Sequence, residues 1–212
     1  IQEWSLDWLP LIVFSNYFYG SVYLLATFGI IIWMYRRRSD AYPLWRNTLA
    51  IMTTLGLVGF AFFPLMPPRL LDVLGDGQVF GFVDTLVEYP TFWSFDSEAM
   101  RTMSNPFAAM PSLHCAWAFW GACALYPRVR SHWARGLAVA YPVLTIYVVI
   151  ATGNHFILDA VGGAVIFFVG YGAARVVTRA GRGRPLSERD DVEADGVPAD
   201  EVGQPYRSIA VR

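Results

Sequence analysis

The feature that most constrains this chain is the length of its uncharged apolar runs. Residues 8–35, 47–68, 102–127 and 136–158 contain no Asp, Glu, Lys or Arg, and a fifth such run, 160–174, lies between Asp159 and Arg175. About 20 apolar residues in a helix cross the hydrocarbon of a bilayer. Inside it, only helices and closed barrels satisfy their own backbone polar groups. Composition agrees: 55% of residues are hydrophobic and 16% charged, against about 25% charged in soluble domains. All 16 basic residues are arginine and the net charge is −1, which excludes a strongly basic nucleic-acid binder, and the apolar runs exclude a disordered polymer. Cys115 and Cys123 fall in one expected helix, too far apart along it to bridge each other.

Pro10, Ser15 and Asn16 place the spanning part of the first run from about Tyr17, while Pro106 and Pro111 place the start of the third helix at Ser112. The reading is an all-α fold, a polytopic transmembrane helical bundle with five spanning helices over about 17–35, 48–65, 112–127, 136–153 and 156–176. Arg36, Arg37, Arg38 and Arg46 follow the first helix, Arg128, Arg130 and Arg135 separate the third and fourth, and Arg175, Arg179, Arg182 and Arg184 follow the fifth. The positive-inside rule puts these loops and the C-terminus in the cytoplasm, and loop 66–110 and the turn Thr152–His155 on the outer face of an integral membrane protein. The plasma membrane is its expected location. Five spans with an inner C-terminus leave Ile1 outside, so a sixth helix is expected upstream. Residues 1–177 form the expected membrane-embedded catalytic domain; 178–212, rich in Arg, Asp, Glu, Gly and Pro, form an expected disordered cytoplasmic tail.

Three histidines exist, and topology brings His114 and His155 to the outer boundary while leaving His132 among the inner arginines. Asp159 follows His155 by four residues, so both side chains share one helix face. A carboxylate inside a membrane helix costs on the order of 2.5–3.5 kcal/mol and calls for a partner. Bonded to one imidazole nitrogen, it fixes the tautomer and aims the other nitrogen as base or nucleophile. Ser112 is a good helix N-cap, and the free N–H groups of that helix end suit a phosphate. His114, in the first turn, is placed to pass a proton to a leaving oxygen. Arg69, stiffened by Pro67 and Pro68, and Arg101 are the outward arginines, and guanidinium groups grip phosphoryl oxygens bidentately. Asp72, Asp76, Asp84, Glu88, Asp96 and Glu98 give loop 66–110 a net charge of −4, so any phosphate site there is local. Phe80, Phe82, Tyr89, Phe92, Trp93 and Phe95 of that loop suit the membrane interface.

Asn105-Pro106-Phe107-Ala108-Ala109-Met110-Pro111-Ser112-Leu113-His114 resembles the Pro-Ser-x-His motif of the type 2 phosphatidic acid phosphatase superfamily. Thr152-Gly153-Asn154-His155-Phe156-Ile157-Leu158-Asp159, continuing to Gly162-Gly163, resembles its His-x-x-x-Asp motif. The resemblance implies that His155 attacks phosphorus to form a phosphohistidine, Asp159 orients it and His114 protonates the leaving group, with no metal and no cofactor. The first superfamily motif, a lysine seven residues before Arg-Pro, is reduced to Arg69, with Phe62 and Leu70 at the other two positions. Val148 and Val149 stand where Ser-Arg opens the third motif, and Leu113 where glycine follows Pro-Ser. This pattern is most similar to the inositol phosphorylceramide synthase branch.

The expectation is an enzyme that cleaves a lipid phosphate ester, passing the phosphoryl or phospho-headgroup to water (a phosphatase) or to a polyol or lipid hydroxyl (a phosphotransferase). Its catalytic residues are His155, Asp159 and His114; Arg69, Ser112, Arg101, Asn105 and Asn154 bind the phosphate. Its partner is a membrane lipid, not nucleic acid. Two rivals stand beside it: a zinc hydrolase using His155, Asp159 and His114, and a transporter or channel subunit with a proton path through the same side chains.

Overall fold

A computed structural model describes residues 1–74, 80–89, 91 and 107–182 of the chain. Helix α1 (Gln2–Leu6) precedes α2 (Leu9–Tyr17), which passes through one π-helical turn (Phe18–Val22) into α3 (Tyr23–Arg37). Then come α4 (Tyr42–Phe62), a 3₁₀ turn (Pro68–Leu70) leading into the one-turn α5 (Leu71–Leu74), and α6 (Thr85–Glu88). Three long helices complete the described chain: α7 (Leu113–Leu125), α8 (His132–Ala151) and α9 (Ile157–Arg182). Among the described residues, the one extended pairing is an isolated parallel bridge between Leu65 and Ala108.

A helix occupies each of the five expected positions, but the ends differ. The first is continuous from Leu9 to Arg37, because the residues expected to delay it do not. Pro10 sits in the first turn, where its missing N–H costs nothing. Ser15 donates to the carbonyl of Leu11, 2.8 Å away, and Asn16 is buried with partners from another segment. Helix α9 runs on to Arg182, so the stretch assigned to a tail begins as helix; residues 183–212 lie outside the described residues. Among the described residues, three helices are long and apolar enough to cross a bilayer unaided: Leu9–Arg37, His132–Ala151 and Ile157–Gly181. Helix α4 carries Arg46 and Asn47 in its second turn. Helix α7, with 13 residues, rises only about 20 Å, short of a hydrocarbon core of about 30 Å.

Helix α7 is the central element. It is apolar all round, as a helix without a solvent face must be, and it buries Cys115, Ala116, Ala118, Trp120, Gly121 and Ala124 among α3, α4, α8 and α9. Trp120 fills the middle with Met34, Met52 and Phe167, and its indole N–H donates to the carbonyl of Trp45 at 2.9 Å. Small residues let the backbones close, as in membrane bundles generally. A Cβ on Gly170 would stand 2.9–3.2 Å from the backbone and Cβ of Met52, joining α9 to α4. The outer faces stay apolar: Leu25, Phe62, Leu137, Leu158 and Val176 are each more than two-thirds exposed. A face of this kind suits lipid rather than water, and the chain is an integral membrane protein. At one end of the bundle Arg38, Arg46, Arg128, Arg135 and Arg175 lie over aromatic rings. The two histidine motifs meet at the other.

Candidate active site

The site starts from two backbone devices. At the end of α4, Leu65 N–H donates to the carbonyl of Phe107 at 2.8 Å, and Ala109 N–H donates to the carbonyl of Leu65 at 3.3 Å. This pairing fixes residues 107–109 alongside the helix end. At the end of α8, Gly153 takes φ +69°, the left-handed turn that closes a helix C-terminus. The N–H groups of Asn154 and His155 both donate to the carbonyl of Val149, at 3.1 and 3.0 Å. His155 is thereby held on a reversing turn immediately before α9, buried to 4% exposure.

Asp159 joins these pieces. Its carboxylate reaches back to accept from the N–H of Phe156 at 2.8 Å, the reciprocal half of a capping box. The same oxygen lies 3.3 Å from Nδ1 of His155, and the carbonyl of Asp159 accepts from Ser112 N–H at 3.0 Å. Capping the helix and touching the imidazole are therefore one arrangement. Nδ1 of His155 also meets the carbonyl of Ala109 at 2.8 Å. Facing a carbonyl and a carboxylate, both acceptors, Nδ1 must carry the proton, which leaves the lone pair on Nε2.

His114 stands in the first turn of α7, where Ser112 is the N-cap and its Oγ accepts from Cys115 N–H at 3.4 Å. Glycines bring that turn against α9: a Cβ on Gly163 would lie 2.5 Å from the carbonyl oxygen of Ser112, and one on Gly162 3.2 Å from Cβ of Pro111. The imidazoles of His114 and His155 are consequently 5.9 Å apart between centroids and inclined by 62°. Tyr19 stacks on His114 at 4.4 Å and Tyr23 packs on it at 4.3 Å. Nε2 of His114 is buried with no partner. Both histidines line a cavity of about 220 Å³ whose other walls include Tyr19, Tyr23, Phe60 and Trp117.

A smaller cavity of about 40 Å³ shares His155, Tyr19 and Ala108 with the first and adds Arg69 and Asn154. Arg69 N–H donates to the carbonyl of Gly153 at 2.9 Å. Its guanidinium is not free: Nη1 is ion-paired with Asp84, while Nε is buried without a partner. The amide nitrogen of Asn154 donates to Thr152 Oγ1 at 2.9 Å. Ser112 is fully buried in its cap. Of the expected site residues, the structure thus brings together His155, Asp159, His114, Arg69 and Asn154, with Ser112 beneath them. Arg101 and Asn105 lie outside the described residues, as do Phe92, Trp93 and Phe95. Of the other aromatics in that loop, Phe80 is half-exposed and Phe82 meets Phe156 edge-on at 6.4 Å. Among the described residues, no group of three His, Cys, Asp or Glu side chains is arranged to hold a metal.

Four residues near the site escaped the sequence reading. Tyr19 and Tyr23 carried a signal, two aromatics at i and i+4 in an apolar run, though nothing showed that they would sandwich a histidine. Asn16 donates to the carbonyls of Thr85 and Tyr89 at 2.7 and 3.0 Å, and Thr85 returns a hydrogen bond to its Oδ1 at 2.8 Å. Gln2 binds both the N–H and the carbonyl of Val83. A polar residue inside an apolar run signals a buried partner as well as it signals a boundary.

A family model described as the PAP2 superfamily matches residues 1–173. No curated protein and no solved structure matches the chain.

Proposed function

The chain belongs to the PAP2 superfamily, and from that premise we propose that it is a lipid phosphatase or phosphotransferase working through a phosphohistidine. The observation that carries the reading is the position of His155: Nδ1 faces the Ala109 carbonyl and the Asp159 carboxylate, while the second imidazole, His114, stands across a cavity. Nε2 of His155 attacks phosphorus and the bond to the leaving oxygen breaks. The Asp159 carboxylate stabilises the positive charge that grows on the ring. Beside the negative charge of the bound phosphate, His114 enters as the imidazolium and gives its Nε2 proton to the departing alkoxide, and the phosphoryl group rests on His155. Neutral His114 then takes a proton from water or an acceptor hydroxyl, whose oxygen attacks phosphorus; the P–N bond breaks, its electron pair returns to Nε2 of His155, and both histidines regain their starting states. Arg69 and Asn154 hold the non-reacting phosphoryl oxygens, with Arg101 and Asn105 as further candidates from the adjoining loop. No step draws on a metal or cofactor.

The larger cavity, walled by Tyr19, Tyr23 and Trp117, suits a leaving group or acceptor with a flat, partly apolar face. The motif departures at Phe62, Leu70, Leu113, Val148 and Val149 favour headgroup transfer of the inositol phosphorylceramide synthase type as the finer reading, with hydrolysis as its counterpart when water takes the acceptor's place. The arginine end lies in the cytoplasm by the positive-inside rule, with the site at the outer face of the plasma membrane. The test is to incubate purified protein with a panel of lipid phosphates and phosphodiesters and to assay separately for released phosphate and for new lipid product. Substrate-dependent turnover in detergent, without a gradient, supports an enzyme over a transporter; no turnover on any member contradicts the reading.

A further inference from the structure

The side chain that this reading gives to the phosphate is already engaged by a carboxylate of the protein itself. Arg69 Nη1 is ion-paired with Asp84 Oδ2, and the two side chains are only 20% and 17% exposed. Partial burial strengthens such a pair over one in open water. Asp84 is also fixed in place. Its other carboxylate oxygen accepts from Leu86 N–H at 3.2 Å as the N-cap of α6. The residues on either side are tied down: Val83 to Gln2, and Thr85 to Asn16 and to the carbonyl of Thr152. Asp84 therefore cannot swing away from Arg69 without breaking a cap inside an anchored segment. The guanidinium keeps one unused donor, Nε, buried and without a partner, beside the cavity that Arg69 shares with His155. Among the described residues, Arg69 is the only arginine lining either cavity.

We infer that Asp84 sets the charge selectivity of the site: a phosphoryl group must share Arg69 with this fixed carboxylate, which disfavours a phosphomonoester dianion relative to a phosphodiester monoanion. The inference rests on the reading of Arg69 as the phosphoryl-binding side chain. The reason is electrostatic. A monoester phosphate carries about −1.5 to −2 charges at neutral pH and a diester one, so repulsion from Asp84 weighs more heavily on the monoester. Specificity of this kind is built by placing a like charge against the wrong ligand.

The test is Asp84→Asn, which removes the charge while keeping a side chain that caps a helix equally well. Asp84→Ser, another good cap, serves if the first variant does not fold. The ratio of kcat/KM for phosphatidic acid to that for phosphatidylglycerol is measured in mixed micelles for the parent and the variant. That ratio is expected to rise about tenfold on loss of the charge. An unchanged or lower ratio overturns the inference. Parent protein that turns over neither lipid contradicts the enzymatic reading instead. The inference is then decided by calorimetric binding of inorganic phosphate against dimethyl phosphate, where a variant that gains no preference for inorganic phosphate overturns it.

Discussion

The carbonyl oxygen of Ala109 lies 2.8 Å from Nδ1 of His155, nearer than the Asp159 carboxylate at 3.3 Å. Two acceptors from different parts of the chain hold one N–H, so the tautomer does not depend on Asp159 alone. The carboxylate is left with the part a neutral carbonyl plays less well, stabilising an imidazolium. The two catalytic substitutions should therefore differ in severity. His155→Ala removes the nucleophile and should abolish turnover. Asp159→Asn keeps an oriented ring and should lower kcat by about 10²–10³-fold with little change in KM. Steady-state kinetics on both variants check this; full activity in either contradicts the assignment.

Gly163 decides how closely the first turn of α7 approaches α9. A Cβ there would stand 2.5 Å from the Ser112 carbonyl and 3.1 Å from Cβ of Cys115, a backbone clash that no side-chain rotation relieves. Gly163→Ala should destabilise the protein by about 1–3 kcal/mol and lower kcat, because His114 rides on the displaced turn. Thermal unfolding in detergent, alongside kinetics, measures both. A variant with parental melting temperature and rate contradicts this account of the packing.

Asn16 should behave as a structural member of the site although it touches neither histidine. Replacing it by Leu leaves the Thr85 hydroxyl with only the carbonyl of Thr152, 3.3 Å away, and strips the carbonyls of Thr85 and Tyr89 of their side-chain donor, at a cost of about 1–3 kcal/mol for each buried group left unsatisfied. The segment holding Asp84 against Arg69 then loosens. Asn16→Leu should lower the melting temperature and make residues 84–89 exchange amide hydrogens faster. Unchanged exchange there contradicts the anchoring role.

Much of this architecture is legible in the sequence because its causes are local. Uncharged runs of helical length locate the five helices, and His155 with Asp159 at i and i+4 reads as a pair before any fold is known. The first helix start is not legible in the same way: Ser15 satisfies itself within its own turn, while the partners of Asn16 lie at Thr85 and Tyr89, far along the chain. Ala109 escapes for a different reason. A main-chain carbonyl has no residue-type signature, so nothing in the sequence marks it as the closer partner of His155. Likewise Asp84 is one of several carboxylates in an acidic loop, and only the fold selects it for Arg69.

The proposed chemistry also makes a prediction about metals. Activity should be unchanged after incubation with EDTA, and vanadate, which adopts the five-coordinate geometry of phosphorus in transfer, should inhibit it. Loss of activity on chelation with recovery on added zinc contradicts the mechanism.

The most direct test of the central claim is to trap the intermediate. Protein mixed with a lipid substrate labelled in its phosphoryl group is quenched within the first turnover, digested and mapped by mass spectrometry. The account predicts an acid-labile, alkali-stable phosphoryl adduct, with or without the headgroup, on the peptide bearing His155 and absent from His155→Ala. Turnover with no adduct on His155, or an adduct that survives in His155→Ala, would contradict it.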